Sequence, residues 1–311
     1  MASRPSILTI GNFDGVHLGH RAILSASRRL AEHASARVTA VTFDPFPVAI
    51  LRPEATPPQV MSIDQRIEAL RDAGADDVVV LKPSPELLGS EASAFIEDLI
   101  DQHAAVGFVE GEDFRFGKRR GGDMALLEEM GRSRGFAVQA LPRVETPLSD
   151  QTVAPISSSL VRWLVGRGRV EDAEACLGRT FELVGTIVKG EQRGRTLGIP
   201  TANLDPQAYA SLITPMDGVY AGTVTLDPAQ GPLPAAISVG VKPTFDHDRL
   251  TIEAHLIDYQ MEHPDGLYGK PARFGFARWV RDQYPFPGVP ELKEQLERDI
   301  ATARTLVAND L

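Results

Sequence analysis

A single cysteine in 311 residues, Cys176, excludes an intrachain disulfide framework and any cysteine-rich zinc or iron–sulfur site. Set in Ala173-Glu-Ala-Cys-Leu177, it reads as a small apolar helix residue rather than a reactive thiol, and a reducing compartment is expected. Long apolar runs are also missing, so no segment approaches membrane-spanning length. The opening Met1-Ala-Ser-Arg-Pro5 passes directly into strand-like Ser6–Ile10, which leaves no room for a secretory leader. Basic charge is in deficit, with 32 Lys and Arg against 42 Asp and Glu and a net charge of -10. That balance argues against nucleic acid or a membrane surface as partner, since both need clustered positive charge. A cytoplasmic protein acting on small molecules is expected, with its oligomeric state open. An acidic chain still binds polyphosphate where backbone amides and a few arginines or histidines line the site.

The length implies two domains. Short β-branched runs at 7–10, 38–43, 77–81, 106–110 and 137–141 alternate with amphipathic helical stretches at 21–32, 63–72, 92–102 and 124–134. This βαβ order predicts a doubly wound parallel sheet with helices on both faces and ligand crevices at the carboxyl ends of the strands. Two helical stretches, 158–165 and 170–177, form a connector broken at Gly166-Arg-Gly168. Beyond it, strands at 181–188, 218–226, 235–241, 251–258 and 273–276 follow one another without helices, as in a small antiparallel barrel or sandwich, and a charged amphipathic helix at 290–306 closes the chain. The expected domains are 1–180 and 181–311.

Between the first strand and the first helix stands Gly11-Asn-Phe-Asp-Gly15-Val-His17-Leu-Gly-His20. His17 and His20, three apart, project to one face at a helix opening. Gly19 between them removes a side chain where a phosphate would approach, and the free amides and helix dipole favour an anion. Metal ligation and plain surface histidines are the alternatives, the former weakened because no third histidine or cysteine lies nearby. A second cluster, Ile156-Ser-Ser-Ser-Leu-Val-Arg162, supplies hydroxyls and amides at a helix start with a guanidinium one turn on, although serines there are commonly only caps. Gly111 to Lys118 superficially resembles a P-loop, but five residues separate its glycines and Arg119 stands where Ser or Thr is needed.

In the β-rich half, the loop Gly190-Glu-Gln-Arg-Gly194-Arg-Thr-Leu-Gly198 carries glycines at steps of four with Arg193 and Arg195. It suits either a phosphate cover or a flexible hairpin. In Pro200-Thr-Ala-Asn203, Thr201 and Asn203 lie on one face of an extended segment, and both offer hard oxygen ligands suited to Mg²⁺. Along Thr251–Ile257 the residues Ile252, Ala254 and Leu256 face the core, while Glu253 and His255 face the other way. Glu253 is thereby placed either as a base or as ordinary solvated surface.

Taken in order, His17-Leu-Gly-His20 with Ile156-Ser-Ser-Ser159 and Arg162 resembles the nucleotidyltransferase superfamily, and Phe43-Asp-Pro45 with Gly111-Glu-Asp-Phe-Arg-Phe-Gly117 narrows the likeness to the FAD synthetase module. The downstream half resembles riboflavin kinase in Gly194-Arg-Thr-Leu-Gly198, Pro200-Thr-Ala-Asn203, Gly218-Val-Tyr-Ala221, Pro243-Thr-Phe245, Glu253-Ala-His-Leu and Leu267-Tyr-Gly269. Both halves in this order are similar to the bacterial bifunctional riboflavin kinase/FAD synthetase family.

That resemblance implies a nucleotidyltransferase sheet domain followed by a β-barrel kinase domain with a C-terminal helix. Flavins and ATP would be substrates and Mg²⁺ the metal. In the first half FMN phosphate would attack the α-phosphate of ATP, with Mg²⁺ and His17 and His20 bearing the charge and Ser158 and Arg162 completing the catalytic set. Gly11, Phe13, Asp14, Gly15, Gly19, Asp44, Asp113, Phe114, Arg115, Phe116, Ser157 and Ser159 would shape the nucleotide and flavin site. In the second half Gly194, Arg195, Thr196 and Gly198 would cover ATP, Thr201 and Asn203 would hold Mg²⁺, and Glu253 would take the proton of the ribityl hydroxyl. Three positions depart from the family pattern: Phe46 replaces a usual histidine, Ser238 an asparagine and Gln283 a glutamate. The rival readings are a transferase for another phosphorylated acceptor and a flavin-binding regulator without turnover.

Overall fold

The computed structural model describes residues 4–190, 199–242, 249–259 and 266–308. Its contacts divide the chain into two units, one built from 1–57, 62–146 and 153–158, the other from 58–61, 147–152 and 159–311.

The first unit holds β1 (Ser6–Ile10), α1 (Leu18–Ala34), β2 (Arg37–Phe43), α2 (Pro47–Leu51), α3 (Ile63–Asp72), β3 (Asp77–Leu81), α4 (Pro85–Gly89), α5 (Ala92–His103), β4 (Ala105–Gly111), the short β5 (Arg115–Phe116) and β6 (Gly122–Asp123), α6 (Met124–Arg134) and β7 (Ala137–Leu141). Five strands form a parallel sheet in the order β3-β2-β1-β4-β7, the doubly wound arrangement expected. The chain runs outward from β1 to β3, then returns to the other side of β1, so the order reverses between β1 and β4. All five residues of β1 are buried, as a central parallel strand covered on both faces requires. Leu8, Ile10 and Phe108 on one face pack with Phe95, Ile96 and Leu99 of α5 and Leu127 of α6. Residues of opposite pleat, Ile7, Val38 and Val109, are equally buried, and α1 lies against β1, β2 and β4. Each large apolar side chain so buried contributes about 1.5–3 kcal/mol. Local signals set the helix ends: Ser62 and Gln65 form a capping box on α3, Asp123 caps α6, and Gly135 ends α6 at φ 82°.

A ribbon of β8 (Glu145–Pro147) and β9 (Val153–Pro155) leads to α7 (Ser158–Gly166) and α8 (Val170–Leu177). The second unit then builds a closed antiparallel barrel from β10 (Phe181–Val188), β11 (Ala202–Leu204), β12 (Gly218–Thr225), β13 (Leu233–Lys242), β14 (Arg249–Leu256) and β15 (Pro271–Arg281), in the order β10-β11-β14-β13-β12-β15. Alternation fills it: Leu183, Ile237, Val239, Ile252, Ala254, Phe274 and Phe276 are buried. Helix α9 (Val289–Ala308) packs Ala303 and Val307 on Ala221 and Ile257, and its buried Asp299 pairs with Arg281 at 2.7 Å.

Strand β15 is longer than expected, because Ala277 to Arg281 carry polar and aromatic residues that hide the alternation until β12 pairs with them. Strand β14 stops at Leu256, two residues earlier than expected, where Asp258 turns at φ 58°. Cys176 is buried on α8 as expected, and burial pushes its thiol up to about 11.

Candidate active sites

At the carboxyl end of β1 the loop Gly11–His17 turns sharply, with φ values of 47° at Phe13, 87° at Gly15 and 38° at Val16. Two non-glycine residues thus hold a left-handed conformation, a local cost that a functional loop commonly carries. His17 ends the turn as the N-cap of α1, its Nδ1 accepting the His20 amide at 3.4 Å. The imidazoles of His17 and His20 stack 3.6 Å apart at 17°, and Phe13 meets His20 edge-on at 5.1 Å. Gly19 keeps this packing uncrowded, since a Cβ there would stand 3.1 Å from the His17 ring. With Nδ1 engaged by the backbone, the neutral His17 ring carries its proton on Nε2, a donor beside the helix N-terminus. Among the described residues no group of three or more His, Cys, Asp or Glu is placed to hold a metal, so the stacked pair has no carboxylate or thiolate completing a metal set.

Other predicted residues gather around this turn. Asp14 is buried, and its carbonyl accepts the Ser158 hydroxyl at 2.8 Å, which ties the first residue of α7 to the histidine loop. Arg66, which no sequence motif marks, is fully buried on α3. It donates to the Phe43 carbonyl at 2.8 Å and stacks on the Phe46 ring at 4.6 Å. Burial lowers its pKa, while the Asp14 and Asp44 carboxylates act in the opposite sense. One buried cation therefore links two predicted site residues, and Phe46, the departure from the family pattern, supplies its aromatic floor. An arginine on a polar-looking helical stretch gives no sign of this in sequence.

Beyond β4, Phe114 and Phe116 stack 5.1 Å apart at 20°. Phe116 is buried in the sheet core, and Phe114 packs against it partly exposed. Arg115 is exposed, and Asp113 pairs with Arg143 at 3.1 Å on the surface. Ser157 is exposed just ahead of α7, while Ser159 and Arg162 fall in the second contact unit.

On the barrel, Asn203 lies opposite Glu253, and Glu253 opposite Ser238, so the three stand in register across β11, β14 and β13. Their sequence neighbours Ala202, Leu204, Ala254, Ile237 and Val239 are buried, which leaves this row on the outer face. The Thr201 hydroxyl reaches Glu253 at 3.3 Å, and the His255 ring bonds the Pro200 carbonyl at 2.9 Å, fixing the segment that carries Thr201. Gly190 is bare where Asn203 needs room, because a Cβ would fall 2.4 Å from its Oδ1. The two remaining departures are partners: Gln283 Nε2 donates to Ser238 Oγ at 2.7 Å and to the Val239 carbonyl at 2.9 Å. Gly194, Arg195, Thr196, Gly198 and Pro243-Thr-Phe245 lie outside the described residues.

Residues 1–158 match the FAD synthetase family and residues 177–307 the riboflavin kinase family. The bifunctional riboflavin kinase/FMN adenylyltransferase of Escherichia coli K12 is 34% identical over 96% of this chain and 91% of its own. That of Pseudomonas fluorescens is 32% identical over 98% and 94%. A solved structure described as a macrolide-efflux protein from Streptococcus pneumoniae superposes with a TM-score of 0.85 at 26% identity, covering 98% of this chain and 95% of that one.

Proposed function

Because this chain belongs to the bifunctional riboflavin kinase/FMN adenylyltransferase family, which phosphorylates riboflavin with ATP and adenylylates FMN to FAD, we propose that the histidine loop carries the second reaction and the outer barrel face the first. The observation that carries the first assignment is the stacked His17–His20 pair at the start of α1, beside the carboxyl end of β1.

For adenylylation, an FMN phosphate oxygen attacks the α-phosphorus of ATP. The new P–O bond forms as the bond to the β-phosphate oxygen breaks, and pyrophosphate leaves with its negative charge. Donors at His17 and His20 and the α1 amides stabilise that charge without a covalent intermediate. Ser158 secures the loop through Asp14, and Arg162 is assigned to the same reaction by its place in the family motif. Gly11, Gly15 and Gly19 give the phosphates access to backbone, and Phe114 offers an aromatic edge for a planar ring.

For phosphorylation, Glu253 accepts the proton of the ribityl hydroxyl as that oxygen attacks the γ-phosphorus of ATP, and ADP leaves. Thr201 Oγ1 and Asn203 Oδ1 are hard oxygen donors, and the bare Gly190 leaves the Asn203 carboxamide its space, so these residues fit Mg²⁺ and would hold it. Bound there, Mg²⁺ would supply charge neutralisation at the ATP phosphates. Gly194, Arg195, Thr196 and Gly198 complete the nucleotide cover in this reading.

The efflux role named for the S. pneumoniae structure is not carried over. The family matches and the curated relatives agree on flavin chemistry, and among the described residues no helix is long and apolar enough to cross a membrane. A cytoplasmic location and functional domains at 1–180 and 181–311 belong to the same proposal. The test is FMN formation by the Glu253→Gln variant. A loss of about 10²-fold or more is expected for removal of a base, with FAD formation from supplied FMN retained. Wild-type phosphorylation in that variant would refute the assignment.

A further inference from the structure

We propose that Glu110, the penultimate residue of β4, is a positioning residue for adenylylation: its carboxyl bridges the gap where β1 and β4 part and holds the base of the histidine loop. The two strands are in register from Ile7–Gly107 to Leu8–Phe108 and no further. Beyond that point the Gly11 amide turns to β2, donating to Val41 at 3.0 Å, so the amide of the preceding Ile10 faces the β4 side. No β4 carbonyl takes it. Glu110 Oε1 accepts it instead, at 2.7 Å and out of contact with water. The side chain is 2% exposed.

This gap is the reversal in strand order, where an open α/β sheet binds its ligand. A buried amide there must be paired, and a side chain that pairs it sets where Gly11, Phe13 and His17 begin. The same residue pairs by backbone with Ala140 of β7 and is followed directly by Gly111 to Phe116, the second predicted site loop. Burial raises the Glu110 pKa well above its usual value, opposed by the hydrogen bond from the Ile10 amide, and no charged group contributes. Glutamine offers the same carbonyl oxygen, whereas leucine offers none.

The inference rests on assigning His17 and His20 to adenylylation, and the experiment separates the two. Full-length wild type, Glu110→Gln, Glu110→Leu, Glu110→Asp and His20→Ala would be compared in steady-state FAD formation from FMN and MgATP, with riboflavin phosphorylation followed in the same samples. Glu110→Leu should lose about 10-fold or more in kcat, the scale on which misplaced catalytic groups act, while KM for ATP stays within about twofold. Glu110→Gln should stay within about threefold of wild type, which a purely steric role for the carboxyl does not require. Should Glu110→Leu fail to fold, Glu110→Asp, too short to reach Ile10, must show the same selective fall in kcat. A wild-type kcat in Glu110→Leu or Glu110→Asp, or an equal fall in Glu110→Gln, overturns the role of Glu110. Undiminished FAD formation in His20→Ala overturns the site itself.

Discussion

His17 caps α1 through Nδ1, and in the neutral ring that hydrogen bond assigns the proton to Nε2, the nitrogen proposed to face a phosphate. The adjoining His20 ring, stacked at 3.6 Å, puts a second donor on the same helix face. His20→Ala should therefore lower FAD formation from FMN by about 10²-fold or more, the usual cost of a lost transition-state donor, and leave FMN formation from riboflavin unchanged. Product chromatography reads both at once, and an equal fall in the two activities would contradict the assignment. On the barrel, Gly190→Ala would drive a methyl to 2.4 Å from Asn203 Oδ1. Its expected effect is the mirror image: riboflavin phosphorylation reduced about 10-fold or more by a displaced ligand, with adenylylation of supplied FMN intact.

At the scale of elements, the end of β4 makes stability depend on pH. Burial holds the Glu110 carboxyl well above its usual 4.5, so between 4.5 and that raised value the folded chain keeps a proton that the unfolded chain has released. The stability it contributes is complete below 4.5 and is lost as pH rises through that window. Glu110→Gln does not titrate, and its thermal midpoint should gain on wild type as pH is raised from 4.5; parallel midpoint curves would contradict the burial argument. Where β12 meets β15 there is no slack either. A Cβ on Gly222 would stand 2.0 Å from the Gly275 carbonyl, and Gly222→Ala should destabilise the barrel by about 1–3 kcal/mol in urea unfolding.

The elements themselves were largely legible in sequence, because β-branched runs and three- and four-residue spacing mark buried faces directly. The parallel sheet, the connector helices and the closing helix lie where the pattern put them. The histidine loop was legible because it lies within one motif, and the alternation along 200–203 and along β14, which puts Thr201 with Asn203 and Glu253 with His255, was legible segment by segment, whereas the approach of Thr201 to Glu253 across 52 positions was not. What was illegible depends on contacts between distant segments. Arg66 meets Phe46 across 20 positions, Glu110 meets Ile10 across 100, and Gln283 meets Ser238 across 45. No local period announces such pairings.

At the scale of the whole molecule, α8 is tied to the barrel by its own contacts. Val170, Ala173, Cys176 and Leu177 of α8 are buried, and α8 packs on β10 and β15. Arg278 pairs with Glu171 and Glu174, and the Thr180 hydroxyl donates to Glu174. Exposed ion pairs of this sort are worth about 0–1 kcal/mol each, so the apolar face of α8 is the larger contribution. A fragment of residues 159–311 should be more stable to urea than one of 181–311 by several kcal/mol, on the scale of about 1.5–3 kcal/mol per large buried side chain. Equal midpoints would show that α8 adds nothing to the barrel.

In the proposed assignment one chain carries two separable flavin activities on two sets of residues. Its most direct test is to incubate the purified full-length protein with riboflavin, ATP and Mg²⁺ and to follow FMN and FAD by chromatography, with His20→Ala and Glu253→Ala beside it. FMN followed by FAD in wild type is predicted, with only FAD lost in His20→Ala and both products lost in Glu253→Ala. FAD formation surviving His20→Ala, or FMN formation surviving Glu253→Ala, would contradict the account.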